Sequence, residues 1–134
     1  MIEIQKINKI SKNNCDLIFF NRFKEFIKTP KRIFFLKAKK NCHRGNHAHK
    51  KCSQFLFSVR GSIKINIDNG KKKRNFKIKE RDLIKVKPLN WLKIELKKDE
   101  ILGVICDKDY SEGEYIRDYD KFKHIVNLKN KKTT

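Results

Sequence analysis

The stretch Ser62-Ile63-Lys64-Ile65-Asn66-Ile67-Asp68, followed by Asn69-Gly70, alternates apolar and polar residues without a break. Successive side chains of an extended chain point to opposite faces, so Ile63, Ile65 and Ile67 share one face while Lys64 and Asn66 take the other. Asn-Gly is a strong hairpin-turn signal, so the stretch reads as one arm of a hairpin with a single face toward a core. Outward from it, residues 32–36, 54–59 and 75–79 are short and rich in β-branched or aromatic side chains. Residues 82–86, 91–96 and 101–106 share that character. Such segments recur about every ten residues with almost no helical periodicity between them, which predicts an all-β antiparallel sandwich or barrel. Residues 19–27 fit a short helix or another strand equally well. A short terminal helix is expected from about Tyr119, dissolving into a Lys-rich tail over residues 124–134.

A chain of 134 residues has the length of one domain, taken here as 1–134. With 38% hydrophobic residues and ten Phe, it carries enough bulky apolar material to fold despite being 37% charged. No apolar run approaches the ~18–20 residues a membrane span needs. Glu3, Lys6 and Lys9 interrupt the first ten residues where a signal peptide would be apolar. A cytoplasmic protein with no membrane partner is therefore expected. The net charge of +20 invites a nucleic-acid reading. However, 28 Lys, 17 Ile and 12 Asn together are what AT-rich codons produce unaided, and the lysines are spread along the chain. No arginine-rich motif, zinc-finger spacing or aromatic RNA-binding signature accompanies them, so no nucleic-acid partner is expected. Cys15, Cys42, Cys52 and Cys106 lack the density of a disulfide scaffold and read as free thiols.

Three of the four histidines fall within seven residues, in Cys42-His43-Arg44-Gly45-Asn46-His47-Ala48-His49-Lys50-Lys51-Cys52-Ser53-Gln54. In an extended segment His47 and His49 share a face and can act on one ligand. A chance cluster of solvated histidines is the plain alternative. Counting on from His49, Gln54 and Gly61 fall at the spacing of the first cupin motif, with Gln54 where a metal-binding carboxylate would stand. The second motif corresponds to Pro88-Leu89-Asn90-Trp91-Leu92-Lys93, which has no histidine and offers Lys93 in its place. Two imidazoles with an amide and an ammonium make a poor metal site, so no metal or other cofactor is expected. Cys42, His43, His47, His49 and Cys52 fit no common zinc module, and a regular strand would turn Cys52 away from His49.

From Arg44-Gly45-Asn46-His47-Ala48-His49-Lys50-Lys51 onward the chain resembles the WxcM-like cupins that include the dTDP-4-keto-6-deoxyglucose 3,4-ketoisomerases. The resemblance covers about residues 31–123. Gln54, Val59-Arg60-Gly61-Ser62, Asp68-x-Gly70, Pro88 with Trp91, Asp109-Tyr110 and Tyr115-Ile116-Arg117-Asp118-Tyr119 follow in the family's order. The resemblance implies a cupin double-stranded β-helix with a short C-terminal helix. It implies a homodimer exchanging N-terminal strands, within residues 2–10, and a metal-independent isomerase acting on a dTDP-linked 4-keto-6-deoxy sugar. It implies a place in deoxyamino-sugar biosynthesis for surface glycans such as O-antigen. His49 would be the carbon base and His47 the proton shuttle between oxygens, tasks that suit an imidazole. Arg44, Gln54, Trp91, Lys50 and Arg60 would contact substrate, with core packing the competing role for Trp91.

Three departures stand out. Phe34-Phe35 occupy the place of a Tyr-Tyr pair, Leu92 stands where many members carry a histidine, and no acidic-x-Arg-Gly element is recognisable around residues 13–16. A nucleotide-sugar-binding cupin without turnover, or a deoxysugar epimerase, are the competing functions.

Overall fold

The computed structural model describes residues 3–133. Its strands are β1 (Ile4–Lys6), β2 (Asn8–Lys12), β3 (Cys15–Phe19), β4 (Arg32–Lys37), β5 (Cys42–His49) and β6 (Gln54–Arg60). There follow β7 (Ile63–Asp68), β8 (Lys73–Ile78), β9 (Asp82–Val86), β10 (Trp91–Leu96), β11 (Ile101–Cys106) and β12 (Tyr115–Ile116). Two α-helices, α1 (Phe23–Phe26) and α2 (Tyr119–Thr133), and a 3-10 turn at Glu112–Glu114 complete the described elements. One five-stranded sheet runs β1-β9-β6-β11-β4, the other β12-β5-β10-β7-β8, and β2-β3 form a separate hairpin. All the strand pairs are antiparallel. This is the jelly-roll sandwich of the cupins.

The core lies between the two sheets. Ile63, Ile65 and Ile67 are buried in it as the alternation predicts, against Leu56, Ile84, Leu96, Leu102 and Val104. The hairpin turn expected at Asn69-Gly70 is present and extends beyond that pair. Asp68 pairs with Lys73, leaving four residues in the loop, and Asn69 Oδ1 accepts hydrogen bonds from the backbone N–H groups of Lys71 (2.9 Å) and Lys72 (2.8 Å). Gly70 there has φ +92°, and a Cβ on it would meet Val126 of α2 at 2.8 Å.

The first sheet is covered on its outer face as well. Phe55, Leu83 and Ile105 pack there against Ile7, Ile27, Phe20, Phe23 and Phe26 from the N-terminal segment. Residues 19–27 thus finish β3 at Phe19 and then make one helical turn. Burial on both faces explains why Gln54, Phe55 and Leu56 are consecutively buried with no alternation. On the second sheet α2 plays the same part, pressing Phe122 and Val126 onto Ala48, Trp91 and Ile116. Asp118 caps α2, its Oδ1 accepting from the backbone N–H groups of Asp120 (2.9 Å) and Lys121 (3.3 Å). The helix runs on to Thr133, so the Lys-rich segment expected as a tail is helical. Lysine is a good helix former, and apolar anchors at Phe122, Ile125 and Val126 set the helix in place.

Candidate active site

Between the sheets, at the end where β4, β5 and β6 meet the 110–117 segment, lies a cavity of about 590 Å³. Its wall includes Arg32, Phe34, Arg44, His47, Gln54 and Leu92, with Tyr110, Tyr115 and Arg117 at the same end. A bulge in β5 makes this possible. Arg44 pairs with Ile94 and Gly45 with Lys93, but it is His47 that pairs with Leu92, so Asn46 is the extra residue. The bulge uses two positive φ values, +91° at Gly45 and +58° at Asn46. A Cβ at Gly45 would stand 2.6 Å from the Leu92 carbonyl oxygen. Without the extra residue, Arg44 and His47, three apart, would face opposite sides of the sheet; with it, both line the cavity.

The His47 and His49 rings lie 5.2 Å apart at 90°. His47 Nδ1 is 3.2 Å from the Gly45 carbonyl oxygen; a carbonyl can only accept, so Nδ1 carries the proton and Nε2 holds the free lone pair. Nε2 of His47 and both ring nitrogens of His49 have no hydrogen-bond partner in the protein. Burial holds the His47 pKa down at about 4, helped by the nearby charges of His49, Arg117 and Arg44 and opposed by the Gly45 bond. Burial also lowers that of His49, with Glu114 pulling the other way. Both imidazoles are therefore neutral at pH 7, the form a general base requires.

His47 belongs to the cavity wall and is half-buried; His49 is 7% exposed, and the unpartnered ring nitrogens of both are buried. Beside both lies Tyr115, whose ring centroid is 4.5 Å from that of His49 and 4.9 Å from that of His47. The loop after His49 is pinned by Glu114, whose Oε1 accepts from the backbone N–H groups of Lys51 and Cys52. Arg32 donates to the Tyr115 hydroxyl at 3.3 Å and covers the Phe34 ring at 4.6 Å. Arg117 is paired with Glu112 through two contacts, 2.6 and 3.1 Å, and lies over the Tyr115 ring at 4.5 Å. Hydrogen bonds from Arg117 and Tyr110 lower the Glu112 pKa to about 2.

Several sequence expectations are relocated. Trp91 faces α2 on the outside of the sheet, against Tyr119 and Phe122, and so fills an apolar core instead of touching the cavity. Arg60 stands at the far end of β6 from Gln54, roughly 20 Å away at ~3.3 Å per residue, and is exposed. Lys50 is exposed and outside the wall; its backbone N–H donates to Glu114 O at 3.0 Å. Gln54 does reach the wall expected of a substrate contact, and its amide donates to Cys106 Sγ at 3.5 Å. Lys93 pairs with Gly45 and is exposed, so Leu92 is the β10 residue that meets the cavity. Of Phe34-Phe35, Phe34 lines the cavity while Phe35 lies outside, 56% exposed. Asn13-Asn14, both at positive φ, make the two-residue turn of the β2-β3 hairpin. Arg32, Tyr115 and Arg117, not singled out as site residues from sequence, are the additions. The nearest signal was Tyr115-Ile116-Arg117 itself, whose place beside His49 depends on pairing across 66 residues.

Among the described residues, no three His, Cys, Asp or Glu side chains converge as a metal site would require. Within a jelly roll whose interior carries a histidine pair beside three guanidinium groups, the fold and the site define a cupin-type protein. Residues 1–127 match the model of the WxcM-like, C-terminal family (FdtA), and the chain belongs to that family. It is similar to the curated TDP-4-oxo-6-deoxy-alpha-D-glucose-3,4-oxoisomerase of Aneurinibacillus thermoaerophilus, 27% identical over 127 residues, 92% of this chain and 91% of that one. Among solved structures it is similar to WlaRA, a TDP-fucose-3,4-ketoisomerase of Campylobacter jejuni. That match has TM-score 0.83 and 28% identity over 95% of this chain and 96% of that chain. A 3,4-ketoisomerase of Helicobacter canadensis matches at TM-score 0.85 and 29% identity, over 94% and 97% of the two chains.

Proposed function

We propose that this protein is an isomerase, a metal-independent sugar 3,4-ketoisomerase acting on a dTDP-linked 4-keto-6-deoxy sugar. The observation that carries the reading is a pair of neutral imidazoles, His47 and His49, whose rings stand 5.2 Å apart beside a cavity ringed by Arg32, Arg44 and Arg117. Moving a ketone from carbon 4 to carbon 3 needs a base that takes the carbon-3 proton and returns one at carbon 4 through an enediol. It also needs a group that serves the two oxygens. Guanidinium groups pair oxygens two at a time and suit a diphosphate. The apolar side chains of Phe34, Leu36, Leu56 and Leu92 suit the methyl end of a deoxy sugar. The similarity to a curated oxoisomerase and to two ketoisomerase structures supports the same reading.

The division of labour that the resemblance implies, His49 as the carbon base and His47 as the shuttle between the oxygens, is the one we adopt; the Tyr115 ring stands beside both, 4.5 Å from His49 and 4.9 Å from His47. Both imidazoles rise from one strand two positions apart, and so from one face of the sheet, which favours isomerisation over epimerisation. Epimerisation requires the proton to return on the opposite face of the carbon.

In this reading the protein is a cytoplasmic homodimer serving deoxyamino-sugar synthesis for surface glycans, with neither nucleic acid nor membrane as partner. β1 pairs with β9 of its own chain, and Lys6 forms an ion pair with Asp82 there. Residue 2, the start of the segment expected to exchange, lies outside the described residues. Support for a dimer comes from the β2-β3 hairpin, which exposes Ile10, Leu17 and Ile18, and from edge strand β4, which exposes Ile33 and Phe35. Apolar side chains on an open edge call for a partner surface. Incubation with dTDP-4-keto-6-deoxyglucose, followed by NMR, tests the function. A ketone appearing at carbon 3 supports it. Proton exchange with the ketone kept at carbon 4 indicates an epimerase, and binding without either indicates a non-catalytic cupin.

A further inference from the structure

Glu114 ends the 3-10 turn and stands one position before Tyr115, the residue that pairs with His49. It holds the chain where it leaves β5. Its carbonyl oxygen accepts from the backbone N–H of Lys50 at 3.0 Å, and its Oε1 accepts from those of Lys51 and, at 2.6 Å, Cys52. Three successive N–H groups after His49 therefore end on one half-buried residue of a segment more than sixty positions away. The carbonyl oxygen of His49 itself accepts from Leu89 N–H at 2.8 Å, and the Tyr115 ring packs on the imidazole. The backbone at His49 is thus fixed, while both ring nitrogens stay buried without a protein partner.

A base held in this way becomes an imidazolium when it takes a proton from carbon. Arg32 faces it from β4 and Arg117 from just past β12, and His47 beside it adds a third positive charge whenever it is protonated. The opposing charges are Glu114 and, from just past β11, Asp107, whose Oδ1 is held by Ser53 N–H at 2.8 Å. Burial lowers the His49 pKa most; of the neighbouring charges Glu114 acts first and raises it, against Arg32 and Arg117, with Asp107 adding less. A carboxylate fixed by hydrogen bonds two and three residues from the imidazole needs no rearrangement when charge develops there.

Resting on the ketoisomerase reading, we propose that Glu114 is the positioning residue of the carbon base: its carboxylate fixes the turn that carries His49 and supplies the negative charge against which the imidazolium forms. The carbon-3 C–H bond breaks, its electron pair passes into the enediol, and the proton stays on His49 until carbon 4 takes it. Glu114 exchanges no proton and touches no substrate.

The test titrates the His49 ring by NMR in full-length wild type, Glu114→Gln and Glu114→Asp, with His49→Asn assigning the signal. The same proteins are given dTDP-4-keto-6-deoxyglucose in heavy water, and carbon-3 exchange and conversion are followed. Glu114→Gln keeps a carbonyl oxygen for the two N–H groups and removes the charge. The His49 pKa should fall, and exchange and conversion should fall together by about tenfold with KM kept. Glu114→Asp keeps the charge on a shorter arm and should hold His49 nearer its wild-type pKa. An unmoved or raised His49 pKa in Glu114→Gln overturns the proposal alone, since a purely structural role would lower activity without moving that titration. So does conversion by Glu114→Gln within about twofold of wild type, or a fall in pKa as large in Glu114→Asp as in Glu114→Gln. A wild-type protein that leaves the ketone at carbon 4 overturns the ketoisomerase reading and this proposal with it.

Discussion

Arg44 and His47 stand three positions apart in β5, yet both line one cavity, because the bulge at Gly45-Asn46 resets the alternation between them. The close approach of Gly45 to Leu92 makes that bulge specific to glycine: φ is +91° and a Cβ would meet the Leu92 carbonyl oxygen at 2.6 Å. Gly45→Ala should therefore lose roughly 1–3 kcal/mol of stability in urea unfolding and most of its activity. Asn46→Gly, which accepts φ +58° without strain, should retain both. A Gly45→Ala protein as stable and active as wild type would mean that the bulge does not hold the site.

The acid limb of activity should sit well below the ordinary histidine range. Burial, then the charges of His49, Arg117 and Arg44, hold His47 at about 4, and burial lowers His49 as well, so the free enzyme keeps both imidazoles neutral into acid. A plot of kcat/KM against pH should stay level at pH 6.5 and fall only below it. Because folded His47 binds its proton more weakly than the unfolded chain does, its contribution to stability is intact above pH 6.5. It is lost as the pH falls toward 4. An acid limb at 6.5 would contradict the assignment.

Which parts of this were legible in the sequence follows from how local each signal is. β9, β10 and β11 begin and end where the apolar runs do, because Pro88, Asn90 and the 97–100 turn punctuate them. The inward face of β7 follows from the alternation alone. Trp91 could not be placed in this way: its face is decided by α2, a helix whose apolar anchors are diluted by lysines and which was expected to end early. Arg60 shares the strand parity of Gln54, but parity says nothing of which end of the barrel a residue occupies. Tyr115 reaches His49 only through a non-local strand pair. The bulge at Gly45-Asn46 is not legible in the sequence, where the histidine segment reads as regularly extended, because it shows only in which β10 residue lies opposite.

Chelation should leave the enzyme unaffected. The donor set near His47 and His49 consists of an amide at Gln54 and an aliphatic side chain at Leu92, neither of which completes a metal site. Activity after exhaustive EDTA treatment, with elemental analysis of the same sample, checks this. Loss of activity restored by one added metal per chain would contradict it.

The apolar surface of the hairpin and of β4 should be covered in solution by a second copy. Light scattering should give a dimer for the wild type, and Ile18→Glu with Phe35→Glu should shift it toward monomer with the secondary structure kept. A wild-type monomer at working concentration would contradict the assembly.

The most direct measurement is the rate at which solvent deuterium enters carbon 3 of dTDP-4-keto-6-deoxyglucose in the folded His49→Asn protein, beside wild type and His47→Asn. With His49 as the carbon base, His49→Asn should lose exchange and conversion together, by about a hundred- to ten-thousand-fold. His47→Asn should lose conversion while exchange at carbon 3 stays detectable. Near-normal turnover in the folded His49→Asn protein would contradict the account.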